Sequence, residues 1–194
     1  MRRALWLVPV GLAALAWGFC LRPAGAADND KKDEGKGAVV ELDGLSSRTP
    51  ASWKEEEPSN QMRLAQFKLP KVKDDKEDAQ VIIFKGISGS AQQNIERWKG
   101  QFEAPEGKKP DDVAKVKEMK VGDATVSYLD IHGTYLDKFP PFAPNAKVIK
   151  RPGYRMLAVQ FDAKANPYHI KLIGPADTVE HYKQGFDEWL QGFK

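Results

Sequence analysis

Histidines and carboxylates are the residues of this sequence best suited to proton transfer or metal binding. His132 lies two residues after Asp130, so the two side chains share one face if this segment is a strand. His169 lies on a second segment with the composition of a strand. Imidazole and carboxylate groups are ligands for zinc and similar metals. Asp130, His132 and His169 therefore define one hypothesis, a small periplasmic hydrolase or metal-dependent enzyme.

Other signs of catalysis are missing from the sequence. It contains no Gly-x-Ser-x-Gly motif for a serine nucleophile, and its one cysteine is Cys20. The alternative for His132 and His169 is a half-solvated face of an antiparallel sheet, where neither binds anything. We favour this alternative, and expect no metal, no cofactor and no enzymatic activity.

Residues 136–153 form the second candidate site, in a segment that reads as a long connection between two strands. Phe139, Pro140, Pro141 and Phe142 make a stiff apolar ridge. Basic residues surround it, namely Lys138, Lys147, Lys150, Arg151 and Arg155. Aromatic groups flanked by lysine and arginine suit contact with a protein or an anionic ligand. We predict binding by Phe139, Phe142, Lys147, Lys150, Arg151 and Arg155. Alternatively, Phe139 and Phe142 tuck under the loop and cover the edge of the sheet.

Residues 1–26 are typical of a secretory signal peptide. Arg2 and Arg3 precede an apolar run, and Ala24-Gly-Ala26 is a small-residue cleavage site. The run is interrupted by Pro9 and two glycines, which a membrane span would tolerate less well. We therefore expect an exported chain, periplasmic or secreted, with no stable membrane insertion after cleavage. Retention of the segment as a membrane anchor is the alternative.

The charge balance changes when the signal peptide is removed. The whole sequence has 30 basic and 27 acidic residues, and cleavage after Ala26 removes three arginines and no acid. The exported chain is then formally neutral, which argues against nucleic-acid binding. Residues 27–37 are charged and predict a disordered linker, and residues 38–194 predict a single domain that we expect to be monomeric.

The order of predicted elements indicates an α+β domain with an antiparallel sheet covered by helices. Tyr154–Asp162 and Tyr168–Gly174 read as neighbouring strands, and the second alternates cleanly. A mid-chain helix begins after Ser90, with Gln93 completing a capping box. The charged segment Lys71–Asp78 reads as a solvated connection.

A C-terminal amphipathic helix is predicted to pack on the sheet. Asp177 and Glu180 fit a capping box at its start. Its apolar residues recur every three or four positions and form one stripe, which consists of Val179, Tyr182, Phe186, Trp189 and Phe193.

These features resemble those of PsbP-like domains, the α/β/α sandwiches of the photosystem II extrinsic subunit and of many exported bacterial proteins. The resemblance rests on Thr49-Pro-Ala-Ser-Trp53, the helix after Phe84, the strand end Lys171-Leu-Ile-Gly-Pro175, and Phe186 with Trp189. Asn94-Ile-Glu-Arg-Trp98 also resembles a family of uncharacterised exported bacterial proteins. The resemblance implies a binding or accessory role and supplies no catalytic residue, whereas residues 136–153 have no counterpart in the photosystem subunit.

Overall fold

The computed structural model describes residues 37–139, 145–162 and 166–194. The predicted signal peptide 1–26, all of the predicted linker except Gly37, and Phe142 lie outside these ranges. The strands are β1 (Val39–Leu42), β2 (Leu45–Arg48), β3 (Lys54–Glu56), β4 (Arg63–Leu69), β5 (Ala79–Lys85), β6 (Phe102–Glu103), β7 (Ala114–Val121), β8 (Ala124–Phe139), β9 (Lys147–Asp162) and β10 (Pro167–Pro175). The helices are α1 (Ala91–Lys99), a short 3-10 helix (Pro110–Val113) and α2 (Ala176–Gln191).

The main sheet has the strand order β3-β4-β5-β10-β9-β8-β6, and β7 also pairs with β8. Every neighbouring pair is antiparallel. The last strand, β10, lies between β5 and β9 in the middle of the sheet, with residues buried on both faces. The predicted α+β class with an antiparallel sheet is therefore confirmed.

One face of the sheet, called here the α2 face, packs against helix α2. The predicted stripe is confirmed, since its members are buried or packed in this cluster: Val179, Tyr182, Phe186, Trp189 and Phe193. The ring of Trp53 lies 6.3 Å from that of Phe186 and 5.3 Å from that of Trp189, between centroids. Each large side chain buried there contributes about 1.5–3 kcal/mol to folding, and this packing holds a helix that contains Gly185.

The opposite face, called the α1 face, is covered by helix α1 over only part of its width. Ser90 and Gln93 form the predicted capping box, with Oγ of Ser90 accepting from N–H of Gln93 at 3.3 Å. Ile95 and Trp98 pack with Phe102 against β8 and β9. No residue of β4 or β5 joins this cluster among the described residues. The two helices therefore lie on opposite faces of the sheet.

The predicted capping box at Asp177 is wrong. Helix α2 begins at Ala176, directly after Pro175, and makes no side-chain cap of its own. Its cap comes from Asp75, whose Oδ2 accepts from N–H of Thr178 at 2.8 Å and from Oγ1 of Thr178 at 2.5 Å. The segment 71–78, predicted to be a solvated connection, therefore holds the start of the last helix.

Residues 136–139 and 147–153 are strands, not the loop that the sequence suggested. β8 continues to Phe139 and β9 begins at Lys147, so the two strands run on as a pair. Leu136 pairs with Lys150, and Phe139 pairs with Lys147. We call this two-stranded extension, residues 136–139 and 147–153, the ribbon.

Candidate functional site

Asp130, His132 and His169 do not form one site. Asp130 lies on the α2 face, where Arg155 donates to both of its carboxylate oxygens at 2.8 and 2.7 Å. His132 follows two residues later and is exposed. His169 is 1% exposed and lies on the α1 face, with its ring 5.3 Å from that of Trp98. The sheet separates the two histidines, so the geometry does not support the hydrolase hypothesis.

No group of three or more histidine, cysteine or acidic residues within the described ranges is placed to hold a metal ion. Asp130 instead belongs to an ionic network in which Arg155 also contacts Glu180 of helix α2. The hydrogen bond from Arg155 to Asp130 raises the pKa of Arg155 and outweighs the opposite effect of burial. This network ties helix α2 to the sheet.

The ribbon leaves the sheet at a β-bulge. Gly133 pairs with Tyr154, but the next pair is Tyr135 with Arg151, so β9 contains one extra residue there. Gly153 has a φ of 72°, which favours glycine. A Cβ on Gly133 would lie 2.5 Å from the carbonyl oxygen of Glu103, so β6 passes too close for any side chain. Tyr135 and Tyr154 lie on the same face, since Tyr154 pairs with Gly133 and Tyr135 follows Gly133 by two positions, and their rings stack at 6.1 Å between centroids.

Exposed apolar side chains are concentrated on the ribbon. Phe139 is 69% exposed, Val148 45% and Ile149 40%. Phe139 therefore does not cover the sheet edge, which contradicts that alternative for this residue. Lys138 and Lys147 are exposed beside these groups.

The remaining predicted binding residues of this region already have acidic neighbours. Lys150 pairs with Glu103 at 2.8 Å, and Arg151 pairs with Asp137 at 2.9 Å and with Glu77. Arg155 lies outside the ribbon, in the network with Asp130. A role for these residues in binding stays a prediction, and any partner of Arg151 must compete with two carboxylates.

A polar cavity that the sequence did not predict lies where the ribbon meets the α1 face. Its volume is about 210 Å³. The sheet contributes Arg63, Gln80, Ile82, Tyr154 and Ile173, the ribbon and adjoining β8 contribute Tyr135, Asp137 and Arg151, and the connection before β5 contributes Glu77 and Asp78. Burial and a hydrogen bond to Glu77 raise the pKa of Tyr154 to about 12, so its hydroxyl stays protonated at neutral pH.

Basic residues lie beside this cavity in an apolar environment. Lys171 of β10 lies with its Nζ 5.1 Å from the centre of the Trp98 ring. Burial, with the nearby charges of Arg97 and Arg63, lowers the pKa of Lys171 to about 7. Burial also lowers the pKa of His169 to about 4, helped by Arg97 and Lys171. The alternation of β10 predicted that His169 and Lys171 share a face. It did not indicate that Arg97 of α1 and Arg63 of β4 lie near them on that face.

No protein-family model matches the sequence, and the search of curated proteins gave no significant match. The structure is similar to that of cyanobacterial PsbP (CyanoP) from Synechocystis sp. PCC 6803, with 15% identity and a TM-score of 0.47 over 90% of this chain and 98% of that one. It is also similar to a protein of unknown function from Pseudomonas aeruginosa, with 14% identity and a TM-score of 0.42 over 79% of this chain and 93% of that one.

A third similar structure comes from Bacteroides thetaiotaomicron VPI-5482, with 14% identity and a TM-score of 0.44 over 83% of this chain. Of that protein's own length, 48% is covered. The antiparallel sheet between helices is the architecture that the resemblance inferred from the sequence implies. At this level of similarity the three structures do not indicate a ligand, a partner or a pathway. Neither α-helix in the described ranges is long and apolar enough to cross a membrane.

Proposed function

We propose that this chain is an exported, non-enzymatic binding module, acting as a monomer, whose ribbon docks on an acidic surface of a partner protein. The observation that carries the proposal is the concentration of exposed apolar side chains on the ribbon. Of the seven large hydrophobic residues exposed in the described ranges, three lie there: Phe139, Val148 and Ile149. Such groupings on a small domain are typical of interaction sites.

The energetics of docking favour Phe139 as the main contact. Burying an exposed phenylalanine contributes about 1.5–3 kcal/mol, and a few such residues at the centre of an interface dominate affinity. Ile149 lies two positions from the Phe139 partner Lys147 on β9, so the two side chains lie on the same face of the ribbon. Val148 lies on the opposite face, which lets a partner grip the ribbon from both sides.

The charge of the ribbon supports an acidic partner. Lys138 and Lys147 are exposed and flank the apolar residues. Lysines at the rim of an interface accelerate association with an acidic surface and contribute less to the final affinity. The secretory signal predicted in residues 1–26 supports an encounter outside the cytoplasm.

The test is a quantitative capture experiment from the exported fraction of the host. We expect the double variant Phe139→Ser, Ile149→Ser to lose the partner, because it removes the apolar contact and leaves the lysines in place. The matched control is Val116→Ser, which changes a valine that is 54% exposed on β7, away from the ribbon. The wild type and this control should retain the same partner, less strongly at high salt.

The thermal midpoint of unfolding decides how a loss of capture is interpreted. Because Phe139 and Ile149 are exposed, the double variant should unfold at nearly the temperature of the wild type. Equal capture by all three proteins would refute docking through the ribbon. A strong drop in the midpoint of the double variant would show that these residues are structural.

A further inference from the structure

Three basic side chains gather on the α1 face without an acidic partner. They are Arg63 of β4, Arg97 of α1 and Lys171 of β10. None of them takes part in an ion pair among the described residues. Lys171 Nζ donates a long hydrogen bond to Oε1 of Gln101 at 3.3 Å, and Arg63 Nη1 donates to Oε1 of Gln66 at 2.6 Å. Arg63 and Lys171 are half-buried and Arg97 is exposed, and none of the three has a counter-charge within ion-pair distance in the described part of the chain.

The two arginines are close enough to Lys171 to disfavour its charged form. The charges of Arg97 and Arg63 both act on Lys171, after burial, in lowering its pKa. In the sheet, Arg63 pairs with Phe84, and Phe84 pairs with His169 on β10. Arg63 and His169 are thus two strands apart, roughly 10 Å between their backbones. A small ion between these strands is within reach of the long side chains of Arg63 and Lys171.

Unpartnered donors face the same region. His169 Nδ1 lies 3.5 Å from Nη2 of Arg97, which can only donate, so the neutral ring carries its hydrogen on Nε2. That Nε2 is buried and has no partner among the described residues, and the same is true of Nε of Arg63. The indole N–H of Trp98 also has no partner among the described residues. The same is true of Trp53 and Trp189 on the α2 face, so the unpartnered Trp98 N–H is not by itself a sign of a binding site.

The carboxylates of the adjoining cavity already have ion-pair partners. Asp137 and Glu77 both pair with Arg151, and Asp78 pairs with Lys68 at 3.0 Å. Arg63 lines the same cavity and has no such partner. Arg63 is therefore the lining cation available to a ligand, whereas Arg151 is held by two carboxylates.

We propose that Arg63, Arg97 and Lys171, with N–H of His169, bind the oxyanion group of a small ligand whose body extends into the adjoining cavity of about 210 Å³, which Arg63 lines. A carboxylate or a phosphate supplies a negative charge to these cations and acceptors to the unpartnered donors. The cavity is smaller than typical drug-sized pockets of roughly 300–1,000 Å³, so the ligand is a small metabolite-sized anion. This site is separate from the ribbon tip and stands independently of the docking proposal.

Binding should depend on pH through Lys171. An anion favours the charged ammonium, so occupancy draws a proton onto Lys171 and affinity falls as pH rises above about 7. Arg63 and Arg97 stay charged throughout, and His169, with a pKa of about 4, stays neutral. Sulfate is a suitable probe because its own charge does not change near neutral pH.

The experiment is calorimetric titration of the protein with sodium sulfate at constant ionic strength, at pH values on both sides of neutrality. Lys171→Gln and Arg63→Gln should each weaken binding by about tenfold or more. The matched control is Lys117→Gln, which removes a lysine whose Nζ lies 4.6 Å from the centre of the Tyr128 ring on the α2 face.

The expected result is that the wild type and Lys117→Gln bind one sulfate alike, more tightly at acidic than at alkaline pH. If Lys171→Gln fails to fold, the more accessible Arg63→Gln still decides the question. Absence of sulfate binding by the wild type, or wild-type affinity in Arg63→Gln, overturns the proposal, as does an affinity that does not change with pH.

Discussion

On the α2 face, Arg155 and Lys183 have acidic partners, whereas on the α1 face Arg63, Arg97 and Lys171 form no ion pair within the described residues. Arg155 is held by Asp130 and Glu180, and Lys183 donates to Asp187 at 2.5 Å. The carboxylates near Arg63 on the other face, Glu77, Asp78 and Asp137, pair with Arg151 or Lys68 instead. The hydrophobic clusters differ in the same sense, with 23 buried residues on the α2 face and eight on the α1 face within the described chain. The larger apolar cluster and the ion pairs of Arg155 and Lys183 thus lie on one face, and the three cations without ion pairs lie on the other.

The largest effect should come from removing an aromatic side chain from the α2 face. Phe186→Ala should lower the free energy of unfolding by about 3–5 kcal/mol, since Trp53 and Trp189 surround the ring and cannot fill the cavity. Phe102→Ala on the α1 face should cost less, because its neighbour Tyr135 lies at an open edge and can move in. Urea denaturation measures both, and a larger loss in Phe102→Ala would break the comparison.

The next largest effect is a dependence of the free energy of unfolding on pH, caused by Lys171 on the α1 face. Lys171 has a folded pKa of about 7, below its ordinary value of 10.5, so between these values the unfolded chain binds more protons. Stability should therefore rise with pH in this window, by at most about 1.4 kcal/mol per pH unit. Lys171→Met should remove this rise, as measured by urea denaturation from about pH 7 to 9.5.

The control for that measurement is again Lys117→Gln, which should keep the rise because it leaves Lys171 unchanged. The range ends below the ordinary pKa of tyrosine and lysine, so the raised values of Tyr128 and Lys85 do not interfere. A rise that persists in Lys171→Met would show that another group titrates.

The smallest effect concerns the start of helix α2. Asp75→Ala should lower the free energy of unfolding by about 0.5–2 kcal/mol, the usual cost of losing a capping carboxylate. Asp74→Ala is the control, because Asp74 is exposed one position away and makes no contact with Thr178. Thermal denaturation compares the two, and equal midpoints would mean that the cap contributes nothing.

Local sequence patterns were sufficient to predict most of the fold. The stripe on α2, the capping box at Ser90 and the alternation of β10 each depend on residues within a few positions of one another. The cap from Asp75 could not be predicted because 103 positions separate it from Thr178. The ribbon was missed because Pro140, Pro141 and Pro144 suggested a loop and its flanking strands are mostly exposed, so they lack an apolar alternation.

The candidate sites also divide into one that neighbouring residues predicted and one that depends on distant residues. The exposure of Phe139 agrees with a ridge that could be identified from neighbouring residues. The cluster of Arg63, Arg97 and Lys171 depends on three elements that only the folded sheet brings together. His132 and His169 lie on opposite faces because of the register between β8, β9 and β10. The alternation within one strand does not determine that register.

The ribbon also has a consequence for self-association. Residues 136–139 of β8 and 147–153 of β9 pair with each other, and within the described ranges no further strand pairs with the outer edge of either. The peptide groups of these edges can therefore pair with a strand of another chain. Lysines are a common protection of such edges in natural sheets, and Lys138, Lys147 and Lys150 occupy them here. We expect repulsion between the lysines of two ribbons, chiefly Lys138 and Lys147 because Lys150 pairs with Glu103, to oppose association of two chains through the ribbon.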